Sequence, residues 1–288
     1  FVENLGGKVN TEYDETAPNQ SPTIVGRYYF SSPRSFSTGG LRDKQGLSDV
    51  IKGTYSADMY YADLKDGNWS TVLTFDHLLN SPKHDIIQDF SHDGTMIYYI
   101  KSADLLTGSL YTDTFALEKG GSMVQSPITS LPFRAEEGDK DLHFFNDSLI
   151  VFASDRSGGY GQYDLYYAIN KNGHWEDAVN LGNVINSKDN ETSPYLIKNG
   201  KTLYFSSDRL ETLGGYDIFK SDFSHSKWNT PENLYAPINS PLNDIDIEIA
   251  ADGMSAVFAS NRISSVGGYD LYIAYFKDQI IEQLDFID

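Results

Sequence analysis

The chain has 288 residues, enough for one large all-β domain or two ordinary domains. Its formal net charge of −19 disfavours nucleic acids and anionic membranes as partners. It has no cysteine, which excludes disulfides, thiolate metal sites and a cysteine nucleophile, and no apolar run approaches the roughly 18 residues of a membrane-spanning helix.

Five similar units follow one another along the chain, each with an aromatic residue that leads a short strand. The lead aromatics are Phe30, Tyr99, Phe152, Phe205 and Phe258. The last four stand 53 residues apart, whereas the first stands 69 residues before the second, with the excess in an insertion between Arg34 and Tyr55. A fixed period of this kind indicates a repeat architecture.

Each unit is predicted to contain four short strands, and the fourth unit gives the clearest example. "SPYLI", "TLYFSS", "YDIFKSDF" and "KWNTPENLY" follow one another there, separated by polar connections. Four strands per unit of about 40–55 residues are typical of a propeller blade. We therefore predict an all-β, five-bladed β-propeller with four antiparallel strands per blade, forming a single domain over residues 1–288. The predicted blades are 14–75, 84–131, 139–181, 191–234 and 244–276 plus 1–5.

Two segments compete to close the ring. The N-terminal "FVENLGGKVN" resembles "AVNLGNVIN" at residues 178–186. We interpret the latter as an outer strand followed by the connection to the next blade. The rival is the C-terminal "IIEQLDFI", in which Ile281 falls in register with Trp228. The better sequence match favours closure by residues 1–5.

One long stretch resembles a known repeat family. "NLGNVINSKDNETSPYLIKNGKTLYFSSDRLETLGGYDIF" is similar to the TolB-like, WD-repeat-like propeller repeats of bacterial envelope proteins, and more narrowly to the Bacteroidetes version. In that version a tetratricopeptide region precedes the propeller and an OmpA-like domain follows it, and one such protein belongs to the type IX secretion machinery. The resemblance covers all five units and is strongest in the last three.

The resemblance implies a non-enzymatic scaffold that binds protein partners of an envelope complex. It also implies a periplasmic, outer-membrane-associated location, with no membrane insertion by this domain and with peptidoglycan reached only through a flanking domain. It implies no cofactor. Because fold alone does not fix function, these remain expectations.

The Asp-Arg…Gly-Gly-Tyr-Asp loop is the most conspicuous repeated motif. A phosphate-binding loop would lead into a helix N-terminus, whereas strands flank these glycines. A calcium loop would alternate oxygen ligands, and this loop does not. We therefore interpret the motif as structural, with arginines that hydrogen-bond carboxylates or carbonyls. Its residues are Asp155, Arg156, Asp164, Asp208, Arg209, Asp217, Arg262 and Asp270.

A second motif links each outer strand to the next blade. "INSKDNETSP" at residues 185–194 matches "VNTEYDETAP" at residues 9–18 and, more loosely, "INSPLNDIDI" at residues 238–247. Glu15, Glu191 and Asp244 take equivalent places. In propeller topology this link emerges on the same face as the Asp-Arg loop, so we expect Glu191 to meet an arginine from the loop of an adjacent blade.

Carboxylates on the inner strands support an alternative function. Five-bladed propellers include glycosidases, whose chemistry needs two carboxylates at a suitable separation. The candidates are Asp89, Asp246 and Glu248, with Asp89 and Glu248 in register with Leu142 and Tyr195. The first blade offers no matching acid. A glycan-binding or glycoside-hydrolase propeller that uses these carboxylates therefore remains the alternative, as does a sensor with a small ligand in its central cavity.

The insertion in the first blade is the feature that the repeat does not explain. It carries Arg34, Arg42, Lys44 and Lys52, a local basic patch on an acidic protein, and long loops on rigid scaffolds often carry function. It is our candidate binding surface, although a loop packed over the central cavity is an equal alternative. The six histidines show no metal-ligand spacing, so no metal site is predicted.

Overall fold

The computed structural model describes residues 1–75, 79–102, 108–114, 126–127, 131–134 and 138–277. The named elements in these ranges are all β-strands. In chain order they are β1 (Val2–Asn4), β2 (Thr16–Gln20), β3 (Arg27–Ser32), β4 (Leu41–Arg42), β5 (Thr54–Tyr55), β6 (Asp58–Lys65), β7 (Asn68–Trp69), β8 (Leu73–Thr74), β9 (His84–Phe90), β10 (Met96–Ser102), β11 (Gly108–Thr114), β12 (Ser126–Pro127), β13 (Lys140–Asn146), β14 (Leu149–Ser154), β15 (Asp164–Lys171), β16 (His174–Trp175), β17 (Val179–Asn180), β18 (Glu191–Leu196), β19 (Thr202–Ser207), β20 (Asp217–Ser224), β21 (Lys227–Trp228), β22 (Glu232–Asn233), β23 (Asp244–Ile249), β24 (Ser255–Ser260) and β25 (Asp270–Tyr275).

The strands form five small antiparallel sheets that follow one another along the chain. Blade 1 contains β2, β3, β6, β7 and β8, blade 2 contains β9 to β12, blade 3 contains β13 to β17, and blade 4 contains β18 to β22. Blade 5 contains β23 to β25 together with β1, and β4 and β5 form a separate hairpin. In blades 1, 3 and 4 the outer strand consists of two pieces that both pair with the third strand. The predicted all-β, five-bladed propeller is confirmed. No helix in the described ranges is long and apolar enough to cross a membrane.

The N-terminus closes the ring, as predicted. Strand β1 pairs antiparallel with β25, with Val2 opposite Ala274 and Asn4 opposite Tyr272. The backbone continues this pairing, because the N–H of Leu5 donates to the carbonyl of Leu271 at 3.0 Å. The rival closing segment around Ile281 lies outside the described residues.

The lead aromatics of the repeat form the core of the blades. Each one is 0% exposed and faces an aromatic ring of the third strand, at centroid distances from 5.9 to 6.2 Å. They are Phe30, Tyr99, Phe152, Phe205 and Phe258. Burying such a side chain contributes about 1.5–3 kcal/mol, so the aromatic position of the repeat marks the packing layer between neighbouring blades.

A two-residue bulge interrupts the inner strand of four blades. In β23, for example, the register shifts between Ile245 and Glu248. The first bulged residue has a positive φ although it is not glycine, a conformation that costs about 1–2 kcal/mol. These residues are Ala17 (51°), Asp141 (54°), Ser193 (48°) and Asp246 (57°). The bulges bring all four residues to the wall of the cavity on the ring axis.

Candidate functional site: the central cavity

The Asp-Arg loop forms a buried ion pair over the start of the inner strand. In blade 4, Nη2 of Arg209 donates to Oε1 of Glu191 at 3.0 Å and to the carbonyl of Ile185 at 2.6 Å. Glu191 is completely buried, and burial raises the pKa of its carboxyl. Both charged residues belong to blade 4, which corrects the expectation of an arginine from an adjacent blade, because the loop folds back over its own inner strand. The carbonyl of Ile185 supplies the contact with the preceding blade.

Three other blades repeat this ion pair. The pairs are Arg34–Glu15 at 2.8 Å, Arg156–Asp139 at 2.5 Å and Arg262–Asp244 at 2.6 Å. In blade 2 the equivalent acid is Asp85, whose nearest cation in the described residues is Lys101 at 3.7 Å, and burial raises the pKa of Asp85 to about 6. The structure therefore places Arg34 in the repeated pair and not on the surface of the insertion.

Four other acids of the motif accept hydrogen bonds from asparagine side chains in blades 3, 4 and 5. Asp208 accepts from the backbone N–H and side-chain amide of Asn190, at 2.7 and 2.9 Å. Asp155 is exposed and lies against Gly138. The remaining three each accept from an outer-strand asparagine amide at 2.7 Å, in the pairs Asp164–Asn180, Asp217–Asn233 and Asp270–Asn4. The Asp208 contact joins the segments before the first strand and after the second strand of blade 4, and the other three contacts join third and outer strands.

The insertion forms the β4–β5 hairpin and is organised by one of its arginines. Arg42 donates to the carbonyls of Gly39 and Gly46, each at 3.1 Å. Lys44 and Lys52 are exposed. Two cationic side chains therefore face solvent from this hairpin, and their role in binding stays a prediction.

A cavity of about 360 Å³ lies where the inner strands of all five blades meet. Three carboxyl groups line it, those of Asp141, Asp246 and Glu248, together with His143 and Tyr195. We call this space the central cavity. Among the described residues no group of three or more histidine, aspartate or glutamate side chains is arranged to hold a metal ion.

The register of the inner strands identifies which residues share a level of the central cavity. Asp89 pairs with Tyr98, His143 with Val151, Tyr195 with Tyr204 and Glu248 with Val257. The prediction had placed Leu142 at the level of Glu248. It was wrong by one residue, because the hairpin between the first two strands is one residue shorter in blade 3 than in its neighbours. Leu142 is instead buried in the core.

Asp89 lies behind the wall of the central cavity and contacts His143. Its Oδ2 accepts from the N–H of Phe144 at 2.6 Å and lies 3.0 Å from Nδ1 of His143. Nε2 of His143 lies 3.1 Å from the carbonyl of Leu196. The imidazole of His143 therefore bridges Asp89 of blade 2 and the backbone of blade 4.

Glu248 is an acid of the cavity wall whose pKa its surroundings raise. Burial and the neighbouring charge of Asp89 raise its pKa well above the usual value, against the opposing effects of the Gln20 N–H and Lys198. The Gln20 N–H donates to its Oε1 at 3.3 Å. A carboxyl group that keeps its proton near neutral pH can act as a general acid.

Asp141 and Asp246 are joined through Ser193 on the blade between them. The hydroxyl of Ser193 donates to Oδ1 of Asp246 at 2.5 Å, and its backbone N–H donates to Oδ2 of Asp141 at 3.0 Å. The N–H of Ala17 donates to Oδ2 of Asp246 at 2.9 Å. Burial and the charge of Asp141 raise the pKa of Asp246. Lys140, at 4.0 Å from Asp141 Oδ2, provides a nearby positive charge for Asp141.

The structure thus brings Asp246 and Glu248 to the cavity wall and places Asp89 just behind it. Sequence reasoning missed Asp141 and His143. Asp141 stands 52 residues before Ser193, one short of the period, so a search at the full period passes over it. The shorter "NDSL" hairpin of blade 3 was the available signal.

Comparisons by sequence find no relative. No protein-family model matches the chain, and no curated protein matches it.

Comparisons by structure find glycoside hydrolases. CoXyl43, a family 43 β-xylosidase/α-arabinofuranosidase from a compost microbial metagenome, matches with a TM-score of 0.55 at 10% identity, covering 98% of this chain and 96% of that one. Zg3597, a family 117 glycoside hydrolase from the marine bacterium Zobellia galactanivorans, matches with a TM-score of 0.51 at 12% identity, covering 93% and 86%. At these identities the likeness shows the fold alone.

TolB from Acinetobacter baumannii gives a lower score. Its TM-score is 0.46 at 15% identity over 88% of this chain, which spans 51% of the TolB chain. The expected propeller class is supported by the five-bladed fold itself. The narrower Bacteroidetes and type IX secretion context finds no support in these comparisons.

The expectation of a non-enzymatic protein was wrong. Solved structures that share this fold over almost the whole chain include glycoside hydrolases of two families. The expectation rested on a resemblance within one class of propeller repeats, whereas the fold also supports hydrolysis. The carboxyl groups of the central cavity therefore need a functional explanation.

Proposed function

We propose that this propeller binds a glycan in its central cavity and hydrolyses a glycosidic bond there. One observation carries the proposal: the carboxyl groups of Glu248 and Asp141 lie on the same cavity wall in different surroundings, because burial and Asp89 raise the pKa of Glu248 well above its usual value whereas Asp141 lies beside Lys140. Glycoside hydrolysis needs one carboxyl group as proton donor and a second as base or nucleophile. Glu248 and Asp141 belong to blades 5 and 3, with blade 4 between them.

The proposed reaction assigns one role to each carboxyl group. Glu248 gives its proton to the glycosidic oxygen as the bond from that oxygen to the anomeric carbon breaks. Asp141 either takes a proton from the attacking water or itself attacks the anomeric carbon, giving a glycosyl-enzyme that water then hydrolyses. The anomeric configuration of the first product, measured by NMR, distinguishes these two courses.

Asp246 and Asp89 are proposed to assist without reacting. Asp246 is fixed by Ser193 and Ala17 and offers its remaining acceptor capacity to sugar hydroxyls. Asp89 does not line the cavity, so its role is to keep the proton on Glu248 through its negative charge. In this arrangement His143 holds Asp89 in place.

The test is hydrolysis of a panel of oligosaccharides and aryl glycosides. We expect turnover by the wild-type protein and a loss of about 10²–10⁴-fold in Glu248→Gln and Asp141→Asn. Asp177→Asn is the matched control, because this acid is exposed on the edge of blade 3 and lies outside the cavity. Loss of activity in the control, or full activity in both cavity variants, would refute the assignment.

Binding without hydrolysis is the second candidate function. It is favoured if the wild-type protein binds oligosaccharides and turns none over, because the same cavity would then serve recognition. The periplasmic, outer-membrane-associated location and the protein partners implied by the repeat resemblance are carried forward as proposals. Fractionation of the native host tests the location.

A further inference from the structure

Three tyrosines occupy equivalent positions where the third strands begin. Tyr163, Tyr216 and Tyr269 each directly precede the motif aspartate of their blade. The next blade fixes each backbone at both polar groups. For Tyr216, the N–H donates to Oδ1 of Asn243 at 2.9 Å, and the carbonyl accepts from the N–H of Asp244 at 2.7 Å. The tyrosines are therefore rigidly placed, as binding residues must be.

Two of the three rings line the central cavity. Tyr216 and Tyr269 belong to its wall and are half-buried. Burial raises the pKa of Tyr269 to about 12 and that of Tyr216 further, so both hydroxyls stay neutral donors at physiological pH. Neither ring stacks on another aromatic ring in the described part of the chain. Tyr163 differs, because Nζ of Lys140 lies 4.3 Å from its ring centroid and it is not part of the cavity wall.

The other side of the cavity mouth has small residues in these positions. By strand register the equivalent of Tyr163 is Ala57 in blade 1 and Gly108 in blade 2. Blades 4 and 5 thus present tyrosines at the cavity wall, whereas blades 1 and 2 have small residues at the equivalent positions.

The charge of the cavity restricts what that unit can be. Asp141 and Asp246 line it and Asp89 lies just behind, whereas Lys140 is the one lysine or arginine among the described lining residues, so negative charge exceeds positive charge even with Glu248 protonated. A carboxylated or sulfated sugar would add a further negative charge to this group, at an unfavourable Coulomb energy. A neutral pyranose has an apolar face for an aromatic ring and hydroxyls for carboxylate acceptors.

We propose that Tyr216 and Tyr269 form a stacking subsite for a neutral pyranose at the mouth of the central cavity, next to the sugar that reaches Glu248. This inference rests on the proposed function and names its substrate class: uncharged glycans of pyranose units. Uronic-acid and sulfated glycans are excluded.

The test is calorimetric titration with a hydrolysis assay in parallel. Glu248→Gln protein, used to prevent turnover, is titrated with neutral xylo-, gluco- and manno-oligosaccharides and with oligogalacturonates of equal length. We expect a neutral oligosaccharide to bind and the oligogalacturonates to bind at least tenfold more weakly. Adding Tyr216→Ala or Tyr269→Ala should weaken neutral binding about tenfold, the size expected for an aromatic contact. Tyr216→Phe should retain it, and Tyr163→Ala is the matched control that leaves it unchanged.

The outcomes separate this subsite from the hydrolytic proposal. Unchanged binding in both alanine variants, an equal loss in Tyr163→Ala, tight oligogalacturonate binding, or no binding of any neutral oligosaccharide overturns the subsite. Tyrosine-dependent binding without turnover by the wild-type protein supports the subsite and refutes hydrolysis. If Tyr216→Ala and Tyr269→Ala, each introduced into the wild-type protein, leave its turnover unchanged, hydrolysis is supported and the subsite is refuted. Thermal melts of each variant show whether a loss of binding reflects unfolding.

Discussion

At the residue scale, the proposed reaction depends on how neighbouring groups affect the pKa of Glu248 in the central cavity. Burial and the nearby charge of Asp89 raise the pKa of Glu248 well above its usual value. Asp89 is in turn held by the N–H of Phe144 and by His143. In the proposed reaction, a residue outside the cavity therefore affects the acid at its wall.

The pH profile of hydrolysis tests this control. In Asp89→Asn the negative charge near Glu248 is lost, so the pKa of Glu248 falls. Since Glu248 acts in its protonated form, activity should disappear at a lower pH on the alkaline side than in the wild-type protein. Rates measured from pH 4 to 9 show the shift, with Asp177→Asn as the control. An unchanged alkaline limb would show that Asp89 does not act on Glu248.

The buried ion pairs of the blades make a second prediction at this scale. Arg209→Met leaves Glu191 buried without its partner, which should lower the free energy of unfolding by about 3–5 kcal/mol. Lys171→Met is the matched control, because Lys171 and Glu176 form an exposed pair at 2.8 Å that is worth less than about 1 kcal/mol. Urea titration measures both. Equal losses in the two variants would contradict the structural role of the Asp-Arg loop.

At the element scale, the bulged inner strands and the closing strand β1 shape the molecule. The bulges turn Asp141, Ser193 and Asp246 toward the axis, where hydrogen bonds between blades offset the cost of their backbone conformation. Strand β1 completes blade 5 and joins the two ends of the described chain.

Removal of residues 1–5 tests the closure. The deletion uncovers the edge of β25 and removes the buried Leu5, so we expect a lower melting temperature and association that depends on concentration. Deletion of Phe1 alone, which is 71% exposed, is the control and should have a much smaller effect. Thermal melts and sedimentation velocity provide the readouts. A truncated protein that stays monomeric with the wild-type melting temperature would contradict closure by β1.

At the scale of the whole molecule, the 53-residue period was sufficient to predict five blades, because each blade repeats the same aromatic packing layer. The period was less useful for the site, where single-residue changes matter. The hairpin between the first two strands is one residue shorter in blade 3. For this reason the 53-residue period did not align Asp141 and His143 with the equivalent residues of the other blades. The insertion after Arg34 likewise made this arginine look like part of a basic loop, although it forms the buried pair with Glu15. Which side of an inner strand faces the axis depends on the bulges, and sequence periodicity does not reveal them.

We propose that Glu248 donates a proton to the leaving group of a glycoside bound in the central cavity. This claim is tested most directly by hydrolysis rates of aryl glycosides with leaving groups of different acidity, in wild-type and Glu248→Gln protein. We predict that the variant loses about 10²–10⁴-fold on poor leaving groups, which need the proton, and far less on dinitrophenyl glycosides, which do not. Equal losses on both kinds of substrate, or no hydrolysis of any of them by the wild-type protein, would contradict the claim.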